Sequence, residues 1–240
     1  MKYGTTDRVS GTMCGRYALW GIDDLGGRFL IIDPMLGIRS HFNIAPGTEN
    51  PVVIREQGGN RLRMMEWGLV PYRLSGNPST PRPINARAES LAEKPVFAGL
   101  LASNRCIVPA NGFYEWKKDG GSRKPQFIHI RDKALFGIAG LCDRWQDASG
   151  KMVATYTIIT TEPNGLVRPL HNRMPAILRR EDEQRWLSPS PPAAGELREL
   201  LAPYPAEEMT AYPVSPAANN PANDGGELIC PLRPQKSWFG

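Results

Sequence analysis

The stretch from residue 105 to residue 160 contains five segments with the composition of β-strands and few residues with that of a helix. The clearest is 153–160, which is β-branched through most of its length. Runs of strands with few helices between them favour an α+β fold with a largely antiparallel sheet over a doubly wound parallel sheet. The five segments lie at 105–108, 113–117, 126–130, 134–141 and 153–160.

A hairpin and several short helices are predicted in the rest of the chain. Strands at 52–55 and 62–70 flank Gln57-Gly58-Gly59-Asn60, which has the composition of a turn. A last strand is predicted at 209–214. The remaining predictions are a surface loop at 75–83, a loosely wrapped stretch at 216–224, and helices at 22–32, 89–102, 181–187 and 194–201.

Composition and charge narrow the class of protein. The chain has 240 residues, of which 41% are hydrophobic and 22% charged, as in ordinary globular proteins. It contains no apolar run long enough for a membrane span and no secretory signal near its start, so we expect a cytoplasmic protein without a membrane partner. The net charge of +5 is compatible with a polyanionic partner but does not require one. No metal-ligand spacing or phosphate-binding glycine loop is present, so we expect no metal and no cofactor.

Cys14 differs from the other three cysteines because it directly follows an internal methionine, Met13. With Met13 removed, Cys14 would carry a free amine and a thiol on neighbouring carbons. That pair can capture an aldehyde as a five-membered thiazolidine. The neighbouring Arg16 is expected to lower the thiol pKa. Residues 1–12 stand in front of this group, and we interpret them as a disordered leader or a misassigned start, followed by a domain at 13–232 and a tail at 233–240.

Three further side chains are candidates for proton transfer or substrate binding. Glu115 lies between aromatic residues, where desolvation raises a carboxyl pKa; an exposed position on an edge strand is the alternative. His171 lies in a loop bracketed by prolines and is either an acid/base group or a histidine bonded to backbone. Asn85 can both donate and accept a hydrogen bond, which suits a carbonyl or a sugar oxygen.

Arginines accompany three of the four candidates, Cys14, Asn85 and His171, in the sequence. Arg16 follows Cys14, Arg87 follows Asn85, and Arg173 follows His171, each by two residues. An arginine can hold a phosphate through two hydrogen bonds. Taken singly, each of the three is better explained as a surface arginine.

Six short motifs follow one another along the chain: Met-Cys-Gly-Arg-Tyr at 13–17, Phe-Asn-Ile-Ala-Pro-Gly-Thr at 42–48, Trp-Gly-Leu-Val-Pro at 67–71, Ile-Asn-Ala-Arg at 84–87, Cys-Ile-Val-Pro-Ala-Asn-Gly-Phe-Tyr-Glu-Trp at 106–116 and His-Asn-Arg-Met-Pro at 171–175. In this order they resemble the SOS-response-associated peptidase (SRAP) family, and the resemblance extends from residue 13 to about residue 231.

The resemblance implies a single α+β domain around a curved, barrel-like, largely antiparallel sheet with flanking helices. It also implies a monomer that binds single-stranded DNA containing abasic sites, without a small-molecule cofactor. The amino-terminal cysteine of the family, here Cys14, is implied to form a thiazolidine crosslink with the ring-opened sugar aldehyde. Asn85, Glu115 and His171 match the other catalytic positions. The expected DNA contacts, with Trp67 and Pro46 as a wedge or platform for bases, are Arg16, Asn43, Pro46, Trp67, Arg87 and Arg173.

Two other functions remain open from the sequence. Cys14, His171 and Glu115 match the nucleophile, base and orienting group of a thiol peptidase, which could act on the leader itself. Alternatively, the chain is a DNA-binding module without covalent chemistry, whose binding weakens with salt.

Overall fold

A computed structural model describes residues 14–33, 37–72, 81–132 and 135–232. The predicted leader at 1–12, the tail at 233–240 and most of the predicted loop at 75–83 lie outside these ranges. The described residues form twelve strands and four short helices. The helices are α1 Leu25–Arg28, α2 Pro95–Ser103, α3 Glu183–Trp186 and α4 Ala194–Leu200. The strands are β1 Tyr17–Leu19, β2 His41–Ile44, β3 Glu49–Glu56, β4 Gly59–Trp67, β5 Asn85–Arg87, β6 Arg105–Ala110, β7 Gly112–Asp119, β8 Ser122–Ile130, β9 Phe136–Gln146, β10 Met152–Thr161, β11 Met174–Pro175 and β12 Met209–Pro213.

Five strands close into a small barrel. Antiparallel pairs join β4 to β3, β3 to β6, β6 to β9 and β9 to β10. The barrel closes where β10 runs parallel to β4, with Tyr156 opposite Trp67. Beyond that point β10 also pairs in parallel with β5 and antiparallel with β11. The fold is therefore a single α+β domain around a curved, largely antiparallel sheet, as predicted.

A second sheet of five strands, in the order β12-β8-β7-β1-β2, lies beside the barrel. It joins the barrel because β7 begins two residues after β6 ends, with Asn111 between them. At the bend, a Cβ on Gly112 would lie 2.8 Å from the carbonyl oxygen of Ile128, so only glycine fits there. β7 therefore continues from the barrel wall into the second sheet.

The residues after β12 pack closely against the outer face of the second sheet. Leu228 and Ala218 from this segment are fully buried there, against Ala18, Tyr114 and Phe127 of the sheet. The prediction that residues 216–224 wrap loosely is therefore wrong. Proline, alanine and asparagine are typical of irregular backbone, but irregular backbone can still be fixed by buried side chains and hydrogen bonds.

The predicted helices are the weakest part of the sequence-based description. The helix predicted at 22–32 is reduced to a 3-10 turn at Ile22–Asp24 followed by the single turn α1, and the pair Gly26-Gly27 lies inside α1. The helix predicted at 89–102 begins only at Pro95, a residue that fits the first position of a helix because its missing N–H has no partner there. The predicted hairpin is present, but its second strand, β4, begins and ends three residues earlier than predicted. The strands from β6 to β10 agree with their predictions and are longer.

An ion pair between α1 and α3 gives a test of the packing beside the barrel. Arg28 donates two hydrogen bonds to Glu183, at 2.6 and 2.7 Å, and the Glu183 side chain is 3% exposed. Replacing Arg28 by methionine leaves that carboxylate buried without its partner, so we expect Arg28→Met to lower the free energy of unfolding by about 3 kcal/mol, measured by urea denaturation. The double variant Arg28→Met/Glu183→Gln should recover part of the loss. A single variant as stable as the wild type would contradict this.

Candidate functional site

Cys14 lies just before β1, in contact with a buried carboxylate. Its backbone has a φ of +40° and only 3% of the residue is exposed. The nitrogen of Cys14 donates to Oε1 of Glu115 at 3.1 Å, and the thiol lies 3.8 Å from the carbonyl oxygen of Arg173. Pairing of β1 with β7 brings Cys14 and Glu115 together, although 101 residues separate them in the chain.

Glu115 is buried, at 3% exposure, so the alternative of an exposed edge-strand position is wrong. Burial raises the pKa of its carboxyl group, while the nearby charge of His171 and hydrogen bonds from Cys14 oppose the rise. A carboxyl group with a raised pKa exchanges protons closer to neutral pH than an ordinary glutamate does.

The Cys14 thiol behaves differently from the sequence-based expectation. Burial and the negative charge of Glu115 raise its pKa well above the ordinary value, and the opposing charge of Arg173 is the smallest of the influences. The expectation that a neighbouring cation lowers this pKa is therefore wrong. A thiol held next to a carboxylate in a dry site stays protonated.

His171 lies in the loop between β10 and β11, where its charge acts on Glu115. The backbone N–H of Arg173 lies 3.1 Å from Nδ1 of His171. Nδ1 also lies 3.3 Å from the carbonyl oxygen of Arg173, to which it donates when both ring nitrogens carry a proton. The histidine is thus bonded to backbone, as one alternative had it, and its use as an acid/base group stays a prediction.

Asn85 and Arg87 lie on β5, which pairs with the last residues of β10 before the His171 loop. Asn85 is half-buried and Arg87 is exposed. Because side chains alternate along a strand, residues two apart are on the same side. β5 therefore carries a polar side chain and a cation next to the strand that leads to His171.

Arg173 does not lie on the surface, so its predicted phosphate contact is wrong. Its guanidinium donates two hydrogen bonds to Glu89, both at 2.8 Å, and one to the carbonyl oxygen of Thr160 at 2.6 Å. Only 8% of the residue is exposed. Arg173 instead holds the backbone that contacts the Cys14 thiol and His171.

Two other predicted DNA contacts are also buried. Trp67 is 1% exposed, packs against Tyr17 and Tyr156 inside the barrel, and donates from Nε1 to the carbonyl oxygen of Ile84. Its ring is therefore closed to a base. Asn43 is 3% exposed and all its side-chain hydrogen bonds go to the protein. Both predictions of direct contact with DNA are wrong, because these two side chains pack or form hydrogen bonds inside the protein.

A groove of about 440 Å³ is lined by Gly15, the residue that follows Cys14. Trp116, which sequence analysis did not select, forms part of its wall and is half-buried. The Arg16 guanidinium lies 5.8 Å from the centre of the Trp116 ring, within cation–π range. The alternation of side chains along β7 could have identified Trp116 from the sequence. If the side chain of Glu115 points into the protein, that of the next residue points outward. The groove is lined by Gly15, Arg16, Ala45, Pro46, Trp116, Arg123, Asn219 and Pro221.

Within residues 14–33, 37–72, 81–132 and 135–232, no three histidine, cysteine, aspartate or glutamate side chains converge as ligands for a metal ion. In the same ranges, none of the helices has the length and apolar character needed to cross a bilayer.

Comparisons with known proteins give the family. The model of the SOS response associated peptidase (SRAP) family matches residues 13–221. The abasic site processing protein YoaM of Bacillus subtilis is 40% identical over 221 residues, which cover 90% of this chain and 97% of the relative. The abasic site processing protein HMCES of Gallus gallus is 31% identical over 226 residues, covering 81% of this chain and 67% of the relative. A crystal structure of a protein from Bacteroides thetaiotaomicron has a TM-score of 0.79 at 27% identity and covers 92% of this chain and 98% of its own. The chain therefore belongs to the SRAP family.

Proposed function

We propose that this protein processes abasic sites in single-stranded DNA by forming a covalent crosslink through Cys14. The observation that carries the proposal is the 3.1 Å contact between the nitrogen of Cys14 and the buried Glu115 carboxylate. Two relatives named as abasic site processing proteins support the substrate. The crosslink would protect the lesion from strand cleavage and from error-prone bypass.

The proposed reaction needs no redox step. With Cys14 as the first residue, its neutral amine attacks the aldehyde carbon of the ring-opened sugar while Glu115 accepts the proton released. Glu115 returns that proton to the aldehyde oxygen and then relays the second amine proton to the resulting hydroxyl, which leaves as water, and an imine forms. The thiol adds to the imine carbon and its proton goes to the nitrogen, which closes the thiazolidine. The product is protein plus DNA minus one water. A free α-amine has a pKa of about 7.7–8.0, so little help is needed to make it neutral.

The other site residues assist this reaction in the proposal. His171 protonates the ring oxygen of the closed sugar and so favours the aldehyde form. Asn85 holds the substrate in line through hydrogen bonds. Arg16 and Arg87 bind phosphates beside the lesion, and Pro46 together with Trp116 replaces the predicted platform for bases.

The proposal requires that Cys14 is the first residue of the active protein. We infer that residues 1–12 are a misassigned start or a leader that is removed, and that the active domain spans 13–232. An amide nitrogen at Cys14 cannot form an imine, so a chain that keeps these residues would bind DNA without crosslinking to it.

A thiol peptidase is less well supported. Peptidases of this type attack with a thiolate, and their cysteine pKa is lowered for that purpose. Burial and Glu115 instead raise the pKa of Cys14. A thiol that is added to a preformed imine does not need to be ionised beforehand, because its proton passes to the imine nitrogen.

A mass measurement tests the proposed function. Protein expressed from Met13 is incubated with single-stranded DNA holding one abasic site, and the intact mass is taken under denaturing conditions. We expect the mass of the chain from Cys14 plus DNA minus one water. DNA of the same sequence with an intact base is the control and should give unmodified protein. Unmodified protein in both samples, with Cys14 confirmed as the first residue, would overturn the crosslinking proposal.

A further inference from the structure

A strap, defined here as residues 215–229, forms one side of the groove. It crosses the outer face of the second sheet and is anchored there by the buried side chains of Ala218 and Leu228. Two of its residues, Asn219 and Pro221, line the groove. Asn219 accepts a hydrogen bond from Nε1 of Trp116 at 2.7 Å. The strap therefore touches the aromatic ring that faces the groove.

Asn43 connects the strap to Arg16. Its side-chain Nδ2 donates to the carbonyl oxygens of Asn220 and Asn223, at 3.0 and 2.8 Å. Its Oδ1 accepts from Nη1 of Arg16 at 2.7 Å, and the same Nη1 donates to the strap carbonyl of Ala218 at 3.0 Å. The buried side-chain amide of Asn43 thus bonds to the strap through its nitrogen and to Arg16 through its oxygen.

Asp224 forms a second attachment between the strap and β2. Its carboxylate accepts the backbone N–H groups of Phe42 and Asn43, at 2.6 and 2.9 Å. Its second oxygen lies 2.6 Å from Nδ1 of His41. Unlike Asn43, Asp224 is exposed, so it can be replaced without leaving a buried void.

We propose that Asn43 is a positioning residue that holds Arg16 and the strap together as one wall of the DNA groove. The inference rests on the proposed function, since it assigns Arg16 to a phosphate. Both bonds that fix the guanidinium use Nη1, and among the described residues Nη2 of Arg16 donates to no acceptor. The guanidinium is therefore oriented by one nitrogen and can offer the other to a phosphate oxygen. Asn43 acts on DNA through Arg16 rather than by touching it.

The experiment measures reversible binding of the full chain to a fluorescein-labelled oligothymidine without an abasic site, over a series of salt concentrations. We expect Asn43→Ala to lower the affinity about tenfold, and to reduce the slope of log K against log salt by about 0.7, the loss of one phosphate contact on a single strand. In an Arg16→Ala background, Asn43→Ala should have no further effect on affinity. Asp224→Ala is the second variant, in case Asn43→Ala folds poorly, and should also weaken binding.

Hydrogen exchange of residues 215–229 gives a readout that does not depend on DNA. Exchange there should rise in both Asn43→Ala and Asp224→Ala. Asn50→Ala is the matched control, because Asn50 is equally buried, at 2% exposure, but binds Thr48 and Tyr156 in the barrel. It should leave the salt slope and the exchange of the strap unchanged.

The possible outcomes separate the two proposals. Asn43→Ala and Asp224→Ala variants that bind with the wild-type affinity and slope would overturn the positioning role and leave the proposed function intact. An equal loss in the wild-type and Arg16→Ala backgrounds would also overturn it, because Asn43 would then act independently of Arg16. A wild-type protein that does not bind the oligothymidine would overturn DNA binding and, with it, this inference.

Discussion

The Cys14→Ala variant, starting at the same residue, forms no product with abasic DNA that survives denaturation; this is the largest effect we expect from any substitution. An alanine amine can still form an imine with the aldehyde, but no thiol follows to close the ring, and water returns the imine to its components. The measurement is the shifted band on a denaturing gel. Adding cyanoborohydride, which reduces an imine to a stable amine, should restore a band in this variant.

Cys230→Ala is the matched control, because Cys230 is an exposed free thiol outside the site. It should crosslink with the wild-type yield. Reversible binding of undamaged single-stranded DNA should be unchanged in Cys230→Ala and nearly unchanged in Cys14→Ala. A Cys14→Ala variant that gives the wild-type yield without cyanoborohydride would show that another group forms the bond.

The Glu115→Gln variant should crosslink about 10²–10⁴ times more slowly than the wild type, the usual range for the loss of a positioned acid/base group. Glutamine fills the same space and can still accept a hydrogen bond from Cys14, but it cannot take up the amine proton. The measurement is the single-turnover rate of crosslinking. Glu93→Gln, at an exposed position, is the control and should react at the wild-type rate.

The pH dependence of the single-turnover crosslinking rate gives a second test of the role of Glu115. Because burial raises the pKa of this carboxyl group, the wild-type rate should fall as pH falls through the raised value, where the carboxylate becomes protonated. The Glu115→Gln variant should lack that limb. An identical pH profile in both proteins would contradict the role of Glu115 as the base.

We expect the Glu115→Gln variant to fold at least as stably as the wild type, because the raised pKa of the Glu115 carboxyl group works against stability at neutral pH. The folded protein binds the Glu115 proton more tightly than the unfolded chain does. Stability therefore falls as pH rises from the ordinary to the raised pKa of the carboxyl group. A neutral glutamine removes that loss, so its thermal midpoint should be no lower than that of the wild type.

The strands from β6 to β10 could be predicted because their composition and turns are local signals. The convergence of the site could not be derived from local signals, because Glu115 is 101 residues and Arg173 is 159 residues from Cys14. Only the resemblance of the ordered motifs brought Cys14, Glu115 and His171 together before the structure did. Their joint roles in catalysis remain a prediction.

The tryptophans show a second limit on what could be predicted from the sequence. Trp67 and Trp116 both stand in matching motifs, and an aromatic residue in a motif suits a buried core as well as an exposed groove. Pairing with β10 places Trp67 inside the barrel, a tertiary fact that no local pattern contains. Asn43 was misjudged for the same reason, because its three strap partners lie more than 170 residues away.

The distance in sequence between Cys14 and its partners has a consequence for the newly made chain. Cys14 leaves the ribosome first, whereas Glu115 and Arg173 follow 101 and 159 residues later. At about 5–20 residues per second, synthesis of that length takes on the order of ten to thirty seconds. During this time an exposed terminal cysteine has neither its base nor its dry surroundings. In the proposed reaction, proton transfer by Glu115 therefore becomes available only when the barrel and the second sheet are complete.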